Sequence, residues 1–304
     1  MARPRGLAVG YTGTVTQAAS SPLRGRSWWT PSAALAIAAA ALGATLLAPR
    51  LFSDPVGIDP YVLRLTAVAL TLALVALVWA RFAALRPVLL AVAAMTAAFS
   101  VFAGGPQWIE DIAGNRFDFN TQVLLASAAE AIITAAFVVL ALRTSPPALR
   151  PLMRLRTMGP AALVATIAGV AVFFLVVMAL PATLPGREGI GPVALARDLP
   201  MAAPACALQA LAQELQFRGM LLGALDRVAP AWAANLGQAA FFGIAHIAVQ
   251  YQGPAGAFVP VTIVLGLVFG YITQRTGSLW PAIIVHTVAD IAVTIGVIPG
   301  LYGY

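Results

Sequence analysis

Residues 201–224 read MAAPACALQALAQELQFRGMLLGA, a nearly continuous apolar stretch that is interrupted by one acid, Glu214, and one base, Arg218. A stretch of this length and hydrophobicity is typical of a helix that crosses a bilayer. Glu214 and Arg218 are four residues apart, so they share one helix face, with the acid on the favoured N-terminal side. The spacing therefore predicts an ion pair within the helix. Because charge is costly in an apolar span, the pair marks this helix as structurally or functionally special.

The composition extends this interpretation to the whole chain. Of its 304 residues, 61% are hydrophobic and 10% are charged, whereas a soluble domain carries about 25% charged residues. Long continuous apolar runs favour helices over the alternating strands of a barrel. The sequence predicts an all-α, polytopic transmembrane helical bundle. Its nine apolar spans are 33–48, 62–80, 88–103, 121–142, 161–180, 201–224, 232–249, 258–274 and 280–298. The spans 33–48 and 88–103 are short, so eight full crossings is the alternative.

The distribution of arginine predicts the orientation of the bundle. With the N-terminus inside, twelve arginines fall in inner segments and five in outer segments, which is the positive-inside pattern. We expect an integral protein of a bacterial cell membrane, with the N-terminus in the cytoplasm. Its predicted parts are a disordered cytoplasmic tail (1–30), N-terminal transmembrane helices (31–160) and a C-terminal transmembrane core (161–304).

Two predicted breaks between apolar spans and one isolated acid are the remaining features of the sequence. The tripeptide Gly104-Gly105-Pro106 predicts a turn that opens an outer loop at 104–120. The proline-rich segment 181–200 predicts a break before the span that begins at 201. Glu130 lies in the middle of the span 121–142, and we expect it to bond a serine, a threonine or Gln122, with a secondary role at a polar cavity as the alternative.

Both histidines of the chain lie in late apolar spans. The stretch Phe242-Gly243-Ile244-Ala245-His246 belongs to one span, and His286-Thr287-Val288-Ala289-Asp290 belongs to another. His286 and Asp290 share a helix face. Imidazole and carboxylate groups together can activate water, bind a metal ion or relay protons. We therefore expect Glu214, His246 and His286 to converge on one polar cavity, with Asp290 beside it.

The three patterns together resemble a known family. Gln213-Glu214-x-x-x-Arg218, Phe242-x-x-x-His246 and His286-x-x-x-Asp290 are similar, in order and spacing, to the motifs of the CPBP (CAAX-protease and bacteriocin-processing, or Abi) intramembrane proteases, which include the Rce1-like prenyl endopeptidases. The resemblance covers about residues 200–292. It implies catalytic roles for Gln213, Glu214, Arg218, His246, His286 and Asp290.

Two positions differ from the commonest family pattern. The resemblance implies that a first glutamate works with the first histidine to activate water, while the second histidine and an asparagine stabilise the oxyanion. This chain has Gln213 at the glutamate position and Asp290 at the asparagine position. An amide is not a general base at neutral pH. An altered protease that uses Asp290 or Glu214, a weakened enzyme and a pseudoenzyme all remain open.

The leading interpretation is an intramembrane endopeptidase of the CAAX-protease type that hydrolyses a peptide bond in a membrane-embedded or membrane-anchored substrate. The alternatives are a catalytically impaired pseudoprotease that acts as a membrane scaffold or regulator, and a proton-coupled transporter. A mechanism without metal needs no cofactor; if zinc is bound, His246, His286 and Glu214 are the candidate ligands. The partners are the peptide substrate and the lipid bilayer. The arginines lie mainly between the apolar spans, which argues against a nucleic-acid partner.

Overall fold

The computed structural model describes residues 42, 60–83, 85–113, 116–144, 158–179, 192–227, 229–247 and 255–296, and all statements below concern these residues. They form eight helices and no strand, which confirms the all-α prediction. The helices are α1 (Pro60–Val78), α2 (Arg86–Ala113), α3 (Phe119–Thr144), α4 (Pro160–Ala179), α5 (Pro192–Glu214), α6 (Ala231–Ile247), α7 (Ala255–Thr276) and α8 (Trp280–Gly296). The predicted span 33–48, Leu42 excepted, and the predicted tail 1–30 lie outside the described residues.

Helix α5 does not end at Glu214 but changes its winding there. It continues as a π-helical segment, Leu215–Leu222, and then as a last turn, Gly223–Leu225. Every residue from Gln216 to Leu222 is buried, and the segment contacts α2, α3, α6 and α7. The π-helix is rare and often marks a functional site, because its wider turn re-aims the side chains that follow.

The apolar core lies between α2 and the π-helical segment. Leu90 and Met95 from α2 are buried in the same cluster as Phe217, Met220 and Leu221. This packing fixes the segment that carries Arg218, so the charged residue is placed by the largest apolar cluster of the described fold.

Two helices in the described part of the chain, Asn120–Thr144 and Val259–Thr276, are long and apolar enough to cross a membrane. The predicted count of eight or nine spans is therefore not confirmed. Large apolar side chains nevertheless point outward from four helices. Leu70 on α1, Ile132 on α3, Val164 on α4 and Val264 on α7 are 58–69% exposed. Outward apolar side chains on so many helices are unusual for a soluble monomer.

The predicted turn at Gly104-Gly105-Pro106 is wrong, because α2 continues through it to Ala113. The glycines serve close helix packing instead. A Cβ atom at Gly105 would come within 3.0 Å of the Cβ atom of Ala126 on α3, and one at Gly104 would come within 3.2 Å of Val62 on α1. Small residues let helix backbones approach in this way. The third predicted span, 88–103, is accordingly part of a 28-residue helix.

The start of α5 also differs from the prediction. The helix begins at Pro192 and includes Pro200 and Pro204, so Pro200 does not separate it from the preceding segment. Pro192 suits the first helical position, where the missing N–H has no partner within the helix, whereas Pro200 and Pro204 each remove a backbone hydrogen bond from the helix interior.

Helices α6 and α7 are held together by two amide side chains on α6. Asn235 Nδ2 donates to the carbonyl oxygen of Leu267 at 2.9 Å, and Gln238 Nε2 donates to that of Gly266 at 2.7 Å and to Asn235 Oδ1 at 2.7 Å. The two amides lie against Gly270, where no side chain intervenes. This contact sets the position of α6, which carries His246 at its C-terminal end.

Candidate active site

The predicted ion pair on α5 is confirmed. Arg218 Nη1 donates to Glu214 Oε1 at 2.9 Å, and both side chains are completely buried. A buried pair of this kind is strongly coupled, because removing one partner leaves an uncompensated charge in an apolar environment. Glu214 Oε2 and two further nitrogens of Arg218, Nε and Nη2, are buried with no hydrogen-bond partner among the described residues.

Aromatic rings surround the guanidinium group of Arg218. Its Cζ atom lies 4.4 Å from the ring centroid of Phe242, 5.2 Å from that of Phe269 and 5.8 Å from that of Phe217. The face of an aromatic ring attracts a cation, most strongly where water is absent. Three helical elements, namely α6, α7 and the π-helical segment, thus contribute to holding one positive charge at the centre of the bundle.

His286 connects α8 to this pair. Its Nδ1 lies 2.8 Å from Glu214 Oε1, so the ring donates an N–H to the same oxygen that accepts from Arg218. Its other nitrogen, Nε2, lies 3.5 Å from Asp290 Oδ1, one turn further along α8. The structure therefore brings four of the predicted residues into one line of contacts, Arg218–Glu214–His286–Asp290. We call this line the charged chain.

His246 and His286 pack against the same aromatic ring, Phe242. The ring centroid of His246 is 4.5 Å from that of Phe242, and the centroid of His286 is 5.5 Å from the same ring. The two imidazoles are therefore no further apart than the sum of these distances, which agrees with the predicted convergence. A polar cavity shared by them remains a prediction.

The hydrogen bond of His246 fixes which of its nitrogens is available. Nδ1 lies 2.7 Å from the backbone carbonyl oxygen of Phe242, one turn earlier on α6. A carbonyl oxygen only accepts, so Nδ1 carries the proton and Nε2 of the neutral ring keeps its lone pair. The Phe242-x-x-x-His246 pattern thus has a local physical reason, because the residue four positions earlier supplies both the carbonyl and the packed ring.

Gln213 is buried, and its Oε1 has no hydrogen-bond partner within the described ranges. An orphaned amide oxygen of this kind can accept a hydrogen bond from water or from a substrate N–H group. Gln213 can therefore bind water or a substrate N–H group, although it cannot act as a base.

Glu130 has a different partner from the expected one. Gln122 donates to the carbonyl oxygen of Phe117, whereas Glu130 on α3 interacts with Gln216 of the π-helical segment. Gln216 Nε2 also donates to Thr134 Oγ1 at 2.7 Å. Apart from the isolated position of Glu130 in an apolar span, no sequence feature indicates this arrangement.

The donor atoms do not fit the zinc set formed by His246, His286 and Glu214. Each imidazole uses Nδ1 in a hydrogen bond, to Glu214 in His286 and to a backbone carbonyl in His246, so only Nε2 of either ring could bind a metal. Tetrahedral zinc needs its ligand atoms to converge about 2 Å from one point. In the part of the chain that the structure describes, no three His, Cys, Asp or Glu side chains are placed to hold a metal ion.

Comparison with known protein families supports the resemblance seen in the motifs. Residues 195–292 match the family described as Type II CAAX prenyl endopeptidase Rce1-like. The matched segment contains α6, α7 and the whole of the charged chain. No curated protein and no solved structure gave a match. The predicted resemblance to the CPBP family is thus confirmed over this segment.

Proposed function

We propose that this chain, whose residues 195–292 match the Rce1-like CAAX endopeptidases of the CPBP family, is an intramembrane endopeptidase. It hydrolyses a peptide bond in a membrane-embedded or membrane-anchored substrate. The observation that carries the proposal is the buried charged chain, in which Glu214 accepts hydrogen bonds from both Arg218 and His286. Four ionisable groups are more than one structural ion pair requires, and burying them is costly.

The proposed reaction needs only water and the side chains present. Nε2 of His246 accepts a hydrogen bond from the attacking water, whose oxygen forms a bond to the carbonyl carbon while its proton passes to the Asp290 carboxylate. When Nε2 of His286 carries a proton, it donates to the carbonyl oxygen as negative charge develops there, while Glu214 holds the ring through Nδ1. The C–N bond then breaks, and the proton moves from the carboxyl group to the departing nitrogen.

Gln213 and Glu214 take supporting roles in this proposal. Gln213 orients water or substrate through its free amide oxygen, because an amide cannot accept the proton. Glu214 and Arg218 organise the site: the carboxylate fixes His286, and the guanidinium, flanked by aromatic rings, balances the charge of that carboxylate.

We place the protein in a membrane, with the N-terminus in the cytoplasm. The outward apolar side chains of α1, α3, α4 and α7 support lipid contact, and the arginine asymmetry supports the orientation. The substrate class that follows is a peptide with a membrane anchor, such as a bacteriocin leader, a peptide pheromone or a transmembrane anchor.

A pseudoprotease is the second candidate, and Gln213 is the feature that favours it. A protein of this kind keeps the fold and the charged chain but has lost the base at position 213. It binds membrane peptides without cutting them and acts as a scaffold or regulator.

A cleavage assay separates the two candidates. The purified protein in detergent is incubated with a library of membrane-anchored peptides, beside the Gln213→Glu variant, and products are resolved on gels. If the protein is a protease of altered design, the parent chain cleaves at least one peptide, and Gln213→Glu changes the cleavage rate only modestly. If the parent is inactive on every peptide and Gln213→Glu restores cleavage, the pseudoprotease is the correct description.

A further inference from the structure

Phe269 on α7 lies outside the three sequence motifs, and the mechanism above does not use it. Its side chain is 1% exposed. It packs in a small apolar cluster with Ala282 and Val285 of α8, and Val285 directly precedes His286. Apolar packing explains why a large side chain occupies this position, but it does not explain why the ring also lies beside the charged chain.

The ring of Phe269 lies beside both residues that donate to Glu214. Its centroid is 5.2 Å from Cζ of Arg218 and 5.6 Å from the ring centroid of His286. The planes of the Phe269 and His286 rings are inclined by 34°, whereas Phe242 meets His286 at 82°. Phe269 is therefore closer to a stacked arrangement on the imidazole, which turns the electron-rich face of its ring toward His286.

The backbone around Phe269 is held in place by α6. The two amide side chains of that helix bond the carbonyl oxygens of Gly266 and Leu267, and they lie against Gly270, the residue that follows Phe269. The position of the ring is therefore set by α6 and by its packing on α8. A ring fixed in this way can hold a neighbouring side chain in place.

The charged groups around His286 explain what such a ring can stabilise. A carboxylate oxygen lies beside each nitrogen of the imidazole, Glu214 Oε1 at 2.8 Å and Asp290 Oδ1 at 3.5 Å. Because carboxylates accept hydrogen bonds, this placement favours the ring that carries a proton on both nitrogens and hence a positive charge. Arg218 donates to the same oxygen of Glu214 at 2.9 Å. Two positive groups thus meet at one carboxylate oxygen and repel each other.

We propose that Phe269 is a positioning residue of the active site and acts through His286. The face of its ring stabilises the positive charge of the imidazole beside Arg218. Nε2 of His286 therefore keeps the proton that it donates to the carbonyl oxygen of the substrate as negative charge develops there. This inference rests on the proposed peptidase function and adds a residue from α7 to it.

Fluorinated phenylalanines at position 269 test the inference on a peptide that the parent cleaves. Each fluorine withdraws electron density from the ring face and changes the size of the side chain little, so packing is kept while the attraction for a cation weakens. We expect kcat to fall with each added fluorine, by about threefold or more for a trifluorinated ring, and by about 10-fold for Phe269→Leu. KM should stay within about threefold of the parent.

The same fluorinated series at Phe241 is the matched control, because Phe241 is a buried phenylalanine of the apolar core, and we expect it to leave kcat unchanged. The inference is overturned if kcat does not depend on the number of fluorines at position 269, or if it falls equally in the series at Phe241. A change confined to KM also overturns it, because that result would assign Phe269 to substrate binding. If Phe269→Leu does not fold, the fluorinated series decides alone.

A parent that cleaves no peptide refutes the proposed function, and a stability measurement then decides this inference separately. The unfolding free energies of the chain with trifluorinated Phe269, of His286→Gln and of their combination form a double-mutant cycle. We expect fluorination to cost less stability when His286 is replaced, because the charge that the ring stabilises is then absent. Additive effects would show that the ring does not act through His286, and they overturn the inference. If His286→Gln does not fold, His286→Asn takes its place in the cycle.

Discussion

Nδ1 of His286 lies 2.8 Å from Oε1 of Glu214, and this hydrogen bond joins α8 to the end of α5. The same oxygen accepts the N–H of Arg218 at 2.9 Å. Glu214 is therefore the centre of the charged chain, because its carboxylate satisfies one donor from its own helix and one from a residue 72 positions later. A change at either donor alters the environment of the other.

Removing the guanidinium group tests how strongly this centre is coupled. Arg218→Ala leaves a buried carboxylate with one of its two donors, and we expect the free energy of unfolding to fall by about 3–5 kcal/mol. Thermal or denaturant unfolding in detergent measures the change. Arg197→Ala is the control, because Arg197 pairs with Asp198 at an exposed position and its loss leaves stability nearly unchanged. If Arg218→Ala melts like the parent, the arginine is solvated and the pair is not buried.

The contact between α6 and α7 gives a prediction that is independent of the charged chain. A Cβ atom at Gly270 would clash with Asn235 Oδ1 and come within 2.6 Å of Gln238 Nε2. Gly270→Ala must displace both amides from their backbone partners on α7, and we expect it to cost about 1–3 kcal/mol of stability.

Gly159 provides the matched control for this substitution. A Cβ atom there meets nothing within 4 Å, so Gly159→Ala leaves the unfolding midpoint near that of the parent. Equal midpoints for Gly270→Ala and Gly159→Ala would contradict the close packing of α6 on α7.

Local patterns in the sequence were sufficient for part of the site. The pairing of Glu214 with Arg218 follows from their i, i+4 spacing alone, and the spacing of His286 and Asp290 placed those two on one face. The motif order also predicted that His246 lies near them. Each of these inferences needs only the geometry of one helix or the resemblance to a family.

Relationships between distant helices could not be predicted in this way. Nothing in the sequence around Glu130 indicates that Gln216 is its partner, because helical periodicity does not show which neighbouring helix a face meets. The π-helical winding of Leu215–Leu222 is equally hidden, since it depends on the packing of four surrounding helices. Gly104 and Gly105 fit a turn and close helix packing equally well, because glycine suits both. Only the position of Ala126 distinguishes the two.

The orientation in the membrane stays a prediction from arginine distribution, and reporter fusions test it. A reporter fused after Arg156 should behave as cytoplasmic, because the inner segments carry most of the arginines. A reporter fused near Asp111 should behave as external. The opposite result at both sites would show that the N-terminus is outside.

Substitutions at positions 213 and 290 test whether Asp290 takes the role of the family's glutamate, whose position is occupied by Gln213 in this chain. If Asp290 takes the proton from water, Asp290→Asn removes the base and should lower the cleavage rate by about two to four orders of magnitude. Gln213→Glu should change the rate modestly, because the site already contains a base. Steady-state cleavage of one membrane-anchored peptide compares the two. A large gain with Gln213→Glu and no effect of Asp290→Asn would assign the proton transfer to position 213 instead.

Cleavage by a variant that lacks two proposed reacting groups and the carboxylate that fixes His286 is the decisive measurement. Glu214→Gln, His246→Ala and Asp290→Asn are combined in one chain and assayed in detergent against a peptide that the parent cuts, after its unfolding midpoint has shown that it is folded. We predict that no product forms, since the carboxylate that fixes His286, the imidazole that holds water and the proposed proton acceptor are all absent. Product formation at the rate of the parent would show that none of these residues carries the chemistry.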